Sequence, residues 1–337
     1  MNRQTLLTAL EAVKPGLANK KVEVIEQSTS FAFIKNMVVT YNDEISISYP
    51  IEGLNITGAI KADRLYALLS KLKQDEIDIT HDANELIISA GRTKAGFAFD
   101  AEIKLPLIHT KITTKLKFKP IPEKFVDNLK LTIPICGTDS NRPILTCVHI
   151  NKNGLMEGCD NFRIIRTQLA TELPINTFLL PASSANILIK MGPTEMAESQ
   201  GWVHFKTGNN AIISCRIFED DYPNTNAFFN ITGQSLTFPK TINDVLDRAI
   251  VCAKRDKAID EIVIIDIEKG KFKMSSSDVR GWFKEELNYS YNGDPISFVI
   301  TPYLFKYIVS QTLNCVYNEA KLKFEGENWT YVMSLRT

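Results

Sequence analysis

Between Ser235 and Ile250 the chain reads SLTFPKTINDVLDRAI. An apolar run reaches Pro239, and beyond it Ile242, Val245, Leu246, Ala249 and Ile250 recur at helical spacing. The same strand-then-helix joint returns along the chain. NTFLLPASSANILIKM has it at Pro181, KLKFKPIPEKFVDNLKL at Pro122 and ISFVITPYLFKYIVSQTL at Pro302. LNITGAIKADRLYALLSKL has it near Lys61 without the proline, and the helical pattern RQTLLTALEAV opens the chain at about residue 3. Successive joints lie 58 to 63 residues apart. Even spacing on this scale is the mark of an internal repeat. Each proline suits the first turn of a helix, where its missing N–H would have no partner in any case.

Each predicted helix has one apolar face; in the second unit it is Leu65, Leu68, Leu69 and Leu72. Such a face must be buried, and strand material follows each time. NELIISAGRTKAGFAF and KLKFEGENWTYVMSL alternate apolar and polar positions, and NNAIISCRIFEDDYP and KGKFKMSSSDVRGWF are similar, with Gly, Asn and Asp marking turns. The repeating unit is therefore one helix plus several antiparallel strands. A single unit is too small to enclose a core, whereas two can share one, with two helices laid on paired sheets. The expected fold is α+β, with three similar domains over residues 1–114, 115–232 and 233–337.

Composition adds limits. The 337 residues contain 44% hydrophobic and 23% charged side chains, ordinary for a globular protein. Lys plus Arg equals Asp plus Glu at 39 each, which argues against nucleic-acid binding by bulk charge alone. No signal peptide, membrane span or membrane partner is expected. The six cysteines lie far apart in apolar runs with no C-x-x-C pair, so buried free thiols in a reducing cytoplasm are expected.

The charge is nevertheless segregated. The six helical segments with their adjoining turns (3–20, 61–73, 122–132, 181–191, 239–257 and 301–314) hold 16 basic and 7 acidic residues. The remainder holds 23 basic and 32 acidic. Lysine favours helix surfaces generally, which is the plainer account of the same split.

Three stretches carry a resemblance. TDSNRPILTCVHINKNGLMEGCDNFRIIRTQL contains Arg142-Pro143-Ile144-Leu145 and, further on, Cys159-Asp160-Asn161-Phe162-Arg163-Ile164. FEDDYPNT covers Phe218 to Thr225, and the chain ends TYVMSLRT. In order and spacing these resemble the bacterial sliding clamp, the β subunit of DNA polymerase III. That family has an R-P-x-L run, a T-D-x-x-R-L-A turn, an acidic stretch ending in Y/F-P-D, and a final strand closing in V-M-P-M-R. The resemblance covers the whole chain and is strongest from about Phe118 to Tyr222 and at the C-terminus. There are departures: Phe162 stands where the family has His, Met333-Ser334-Leu335 replaces M-P-M, and Asn19-Lys20-Lys21 replaces a Gly-Arg-Pro run. They fit a divergent member, from a phage or a distant bacterium.

The resemblance implies a DNA-clamp fold whose helices line the channel of a homodimeric ring. Such a ring holds double-stranded DNA through phosphate contacts, without reading sequence. Candidate DNA-facing residues are Arg3, Lys14, Lys20, Lys21, Arg64, Lys71, Lys73, Arg142, Lys254, Arg255 and Lys257. Arg142 stands out because the resemblance puts it on a channel-facing loop; a pair with Asp139 is the plainer alternative. Ala253 to Lys257 also suits an ordinary solvated helix end. The resemblance further implies an apolar groove between domains 2 and 3 that tethers the replicative DNA polymerase and other partners, with a clamp loader to open the ring. Its lining would be Leu145, Phe162, Arg163, Ile164, Pro223, Phe228, Met333, Ser334 and Leu335. Adaptable apolar side chains suit a pocket that takes different peptides. Leu145, Ile164 and Met333 equally suit ordinary strand cores.

No catalytic or metal constellation appears. His81, His109, His149 and His204 are scattered, and there is no phosphate loop, dinucleotide fingerprint or nucleophile elbow. No cofactor, metal or enzymatic activity is expected. Two rival readings stay open: a clamp-like binding protein that closes no ring, and an enzyme whose active site is dispersed in sequence.

Overall fold

The structure, a computed structural model, describes residues 1–19, 25–107, 113 and 115–336. Lys20 and Lys21 lie outside the described residues. The chain divides into two compact units. The first comprises Met1–Ile133, Cys147–Gly154 and Ala170–Asp220, and the second Pro134–Thr146, Leu155–Leu169 and Asp221–Thr337.

In the first unit an eight-stranded antiparallel sheet runs in the order Ile56–Lys61, Ser30–Lys35, Met37–Tyr41, Ile45–Pro50, Ile212–Arg216, Trp202–Thr207, Pro193–Ser199 and Lys119–Pro120. Its centre joins distant sequence: Ser48 faces Ile212 and Ile45 faces Cys215. A three-stranded sheet, Asp78–His81, Glu85–Ala90 and Thr93–Ala98, accompanies it, with a ladder between Cys147–Ile150 and Phe178–Pro181. The helix Arg3–Val13 starts at Asn2, whose side chain accepts from the Thr5 N–H at 3.1 Å. It lays Leu6, Leu7, Ala9, Leu10 and Val13 against the strands Met37–Tyr41 and Ile45–Pro50. It also packs beside the helix Ala62–Lys71, as Phe125–Thr132 does beside Ala182–Met191. The face foreseen for Ala62–Lys71 holds: Leu65, Leu69 and Leu72 are buried and Leu68 is half-buried.

The second unit has a six-stranded antiparallel arrangement, Leu155–Cys159, Arg163–Gln168, Trp329–Ser334, Lys321–Glu325, Asn314–Asn318 and Gln234–Thr237. A four-stranded sheet, Trp282–Asn288, Lys271–Ser277, Val263–Glu268 and Ile296–Ile300, completes it. The helix Ile242–Ala253 crosses the strand Lys271–Ser277 and packs beside the helix Pro302–Val309. It buries Ile242, Val245, Leu246 and Ala249, while Ile250 is half-buried.

The prolines divide into three roles, not one. Pro302 occupies the first helical turn as expected. Pro181 ends a strand and caps the helix Ala182–Met191. Pro122 and Pro239 stand three residues ahead of their helices and accept the N–H of Phe125 (3.2 Å) and Ile242 (2.9 Å). Their fixed φ shapes a turn that aims the chain, instead of opening the helix.

All six cysteines are free; five are buried and Cys252 is half-buried. Burial raises the thiols of Cys159, Cys215 and Cys315, the last to about 12. At about pH 8 an aromatic disulfide reagent should therefore label Cys252 first, the rest reacting only in denaturant. Fast native labelling of several thiols would contradict this packing.

Candidate partner groove in the second unit

The groove is built on the hairpin that joins Leu155–Cys159 to Arg163–Gln168. Asp160 forms its turn: Oδ1 accepts from the N–H of Phe162 (2.8 Å) and of Arg163 (2.9 Å). This is an Asx turn, a backbone arrangement that short carboxylate side chains favour. Oδ2 accepts from Arg163 Nε at 3.0 Å. The Arg163 guanidinium also donates to the Pro134 carbonyl at 2.7 Å and lies 5.8 and 5.9 Å from the rings of Tyr303 and Tyr307. With the turn fixed from both sides, Phe162 stands 40% exposed at its tip.

Beside this turn lies a cavity of about 300 Å³. Its walls are Leu145, Cys159 to Ile164, Pro223, Thr225, Phe228, Lys321, Val332 and Ser334. Its floor is an apolar cluster of Cys159, Ile164, Ile231 and Val332, backed by Tyr222, Phe229 and Val316. The Tyr222 hydroxyl donates to Cys159 Sγ at 3.1 Å, and burial raises both groups, Tyr222 far above its ordinary range. A second cavity of about 390 Å³, lined among others by Cys136, Asp139, Arg142 and Ile259, shares Leu145 and the 160–163 turn. The surface of the first cavity is mainly apolar, with polar groups from Asp160, Asn161, Arg163, Thr225, Lys321 and Ser334 around it, as in sites that take apolar side chains; the second is more polar.

A polar network, buried at Glu157 and Thr225 and partly exposed at Arg166, holds the far wall. Arg166 donates from Nε to Glu157 Oε1 (2.9 Å), and from Nη2 to Thr225 Oγ1 (3.1 Å) and Asn226 Oδ1 (2.8 Å). Thr225 in turn donates to Glu157 Oε1 at 2.7 Å, and the Arg166 guanidinium lies 4.3 Å from the Phe229 ring centre. The segment bearing Pro223 and Phe228 is thus tied to the sheet by side chains at its centre.

Of the groove residues expected from sequence, Leu145, Phe162, Arg163, Ile164, Pro223, Phe228 and Ser334 line this cavity. Met333 and Leu335 do not: both are buried, and strand alternation turns them to the opposite face from Val332 and Ser334. The expected groove lacked Val332, Cys159, Asp160, Asn161, Thr225 and Lys321, of which Cys159, Asp160 and Asn161 figure in the sequence only as part of the motif. For Val332 the signal was present, since the apolar set Tyr331, Met333 and Leu335 marks the core face of that strand. Lys321 and Thr225 come from remote segments and carried no local signal.

The candidate DNA-facing residues fall into three groups. Arg64, Lys71, Lys73 and Lys257 are exposed in or beside helical segments. Lys14 is exposed over the ring of Tyr66, 4.0 Å from its centre, and Lys254 reaches Glu261 at 3.4 Å. The other described candidates, Arg3, Arg142 and Arg255, have donors engaged. Arg3 donates to the carbonyls of Leu69 (3.1 Å) and Gln74 (2.9 Å), completing the end of the helix Ala62–Lys71. Arg255 donates to the carbonyls of Ala253, Lys254 and Ser277. The Arg142 guanidinium donates to Asn161 Oδ1 in the groove turn, and only its backbone N–H meets the carbonyl of Asp139. Several helix cations outside that set also meet carboxylates: Lys130 with Asp127, Arg248 with Glu285 and Lys306 with Asp247. Hydrogen bonds to carbonyls leave the charge in place, and Asp127 and Asp247 are already in the segment count, so among these pairs only Glu261 and Glu285, from outside the helical segments, offset cations that the count leaves unopposed.

Among the described residues no helix is long and apolar enough to cross a membrane, and no group of three or more His, Cys, Asp or Glu is arranged to hold a metal ion. No family model and no curated protein matches the chain in sequence. Solved structures do match. A β sliding clamp from C. crescentus has a TM-score of 0.83 at 16% identity, over 100% of this chain and 98% of that one. DNA polymerase III subunit beta from Pseudomonas aeruginosa has 0.82 at 14%, with the same coverage. A Helicobacter pylori beta clamp bound to a DNA ligase peptide has 0.77 at 15%, over 100% and 99%. The chain has the fold of the bacterial β sliding clamp, as the sequence resemblance implied.

Proposed function

We propose that the chain is a sliding clamp: two copies close head to tail around duplex DNA, and an apolar groove on each tethers the replicative polymerase and other partners. The observation that carries this reading is the joint presence of the clamp fold over the full chain and the apolar cavity beside Phe162. The chain is read as three similar domains, 1–114, 115–232 and 233–337, acting mechanically in the cytoplasm and not as an enzyme. The three sequential helix pairs support that division. A clamp loader would open the ring, and topology rather than tight binding would then retain it. A chain of zero formal net charge suits that role, provided exposed cations such as Arg64, Lys71 and Lys73 meet phosphates without reading bases.

Two sheet edges support the homodimer. Among the described residues Thr93–Ala98 ends one sheet of the first unit and Trp282–Asn288 ends one sheet of the second. An edge strand is a template for another chain. Each carries half-buried apolar residues, Ala95 and Phe97 on one and Phe283 and Leu287 on the other. Val279 and Trp282 beside the second edge are 100% and 76% exposed. An edge-to-edge contact of this kind joins two different surfaces, so it must close by rotation to avoid a filament.

The test is retention on DNA. Protein assembled on nicked circular DNA should stay bound at raised salt and be lost once the circle is cut. Its mass in solution should be about twice 38.0 kDa. Equal retention on circular and linear DNA, or a monomer at micromolar concentration, would overturn the reading.

A further inference from the structure

The cavity beside Phe162 is apolar, yet one of its walls is a cation. Lys321 is half-buried, and its ammonium lies 5.1 Å from the centre of the Phe228 ring. No carboxylate of the described residues reaches it within ion-pair distance. The one carboxylate in the cavity wall, Asp160, has both oxygens engaged by Arg163 and the turn backbone. Glu157, behind the wall, is engaged by Arg166 and Thr225. The local carboxylates are therefore matched to other donors, and Lys321 contributes an unmatched positive charge at the rim of an apolar pocket.

A cation held against an aromatic face, partly out of water, attracts a carboxylate more strongly than a free surface lysine does. Resting on the groove reading above, we infer that the partner peptide carries an Asp or Glu side chain next to its apolar anchor, and that Lys321 selects for it. The apolar anchor fills the cavity against Ile164 and Val332, and the neighbouring carboxylate meets the Lys321 ammonium over Phe228. Lys321 is then a specificity-determining residue, while the apolar walls supply most of the affinity.

The test is peptide selection on the full chain, from a random library displayed with both peptide ends blocked. Selected peptides should converge on spaced apolar residues with an acidic residue within two positions of one of them. Selection on Lys321→Met should keep the apolar residues and lose the acid; selection on Lys321→Arg should keep both. A selected Asp peptide should bind the unaltered protein roughly tenfold tighter than its Asn twin, the scale of one charge-assisted hydrogen bond. That advantage should shrink at raised salt. Convergence on apolar residues without acid enrichment, or an acid preference that survives in Lys321→Met, would overturn this inference and leave the groove reading standing. Failure to converge at all would overturn both.

Discussion

Phe238→Ala is expected to destabilise the second unit by roughly 3–5 kcal/mol, the cost of removing a buried aromatic ring from a close-packed core. Phe238 follows the strand Gln234–Thr237 and is buried. Its ring meets Phe305 edge-on at 5.1 Å and Phe272 edge-on at 6.4 Å, and stacks on Phe324 at 6.3 Å. Phe272 belongs to the four-stranded sheet, Phe324 to the six-stranded arrangement and Phe305 to the helix Pro302–Val309. One side chain therefore touches all three layers of the unit. Each aromatic contact adds about 0.5–1.5 kcal/mol beyond area burial, which places the loss toward the upper end. Urea denaturation followed by the fluorescence of Trp282 and Trp329, with Trp202 replaced by Phe, reads this unit directly. Phe238→Leu should cost much less, about 1–2 kcal/mol, because most of the volume is kept. An Ala variant within about 1 kcal/mol of the unaltered protein would mean that the three layers do not share this ring.

The pattern that makes such a core was legible in sequence where it is local. The helical face of Ile242, Val245, Leu246 and Ala249 could be read because burial of one side imposes a 3.6-residue period. The hairpin Lys271–Ser277 with Trp282–Asn288 could be read because a half-buried sheet imposes a period of two. Pairing between distant strands was not legible. Nothing near Ile45 or Ile212 says that these two strands sit side by side at the centre of one sheet.

The groove shows the same boundary. Arg163 could be singled out only through the motif that the resemblance supplies; the local reason for that motif, an Asx turn at Asp160 closed by the Arg163 side chain, came with the structure. The choice between Val332 and Met333 depends on register, and a slip of one residue exchanges the two faces of a strand. Motif matching gave the strand; the alternation of Tyr331, Met333 and Leu335 hinted at its core face, and the pairing of Ile164 with Val332 fixes it. Charge was the least legible property. A helix rich in lysine and arginine says little until each cation's partner is known, and Arg3, Arg248 and Arg255 all meet partners within the protein.

Glu157→Ala should lower peptide affinity for the groove at least tenfold while touching no residue of the peptide. Glu157 is 3% exposed and accepts from Arg166 and Thr225; Arg166 also holds Asn226. Removing the carboxylate leaves the Arg166 guanidinium facing Phe229 with its charge uncompensated. Breaking a buried pair in this way costs about 3–5 kcal/mol, whereas replacing both partners by apolar groups is often neutral. Glu157→Ala/Arg166→Met should therefore recover much of the stability lost in Glu157→Ala. It should not recover the affinity fully, because Thr225 and Asn226 still lack the donor and acceptor that fix the segment bearing Pro223 and Phe228. Stability by urea and affinity by fluorescence anisotropy, using a peptide selected on the unaltered protein, separate the two effects. A tenfold loss in affinity corresponds to about 1.4 kcal/mol, less than the expected stability change, so the two need not run in proportion. If affinity tracked stability through the unaltered protein and both variants, the network would act only by keeping the unit folded. If affinity stayed low in the double variant while stability returned, the network's separate role would be to hold the far wall of the cavity in place.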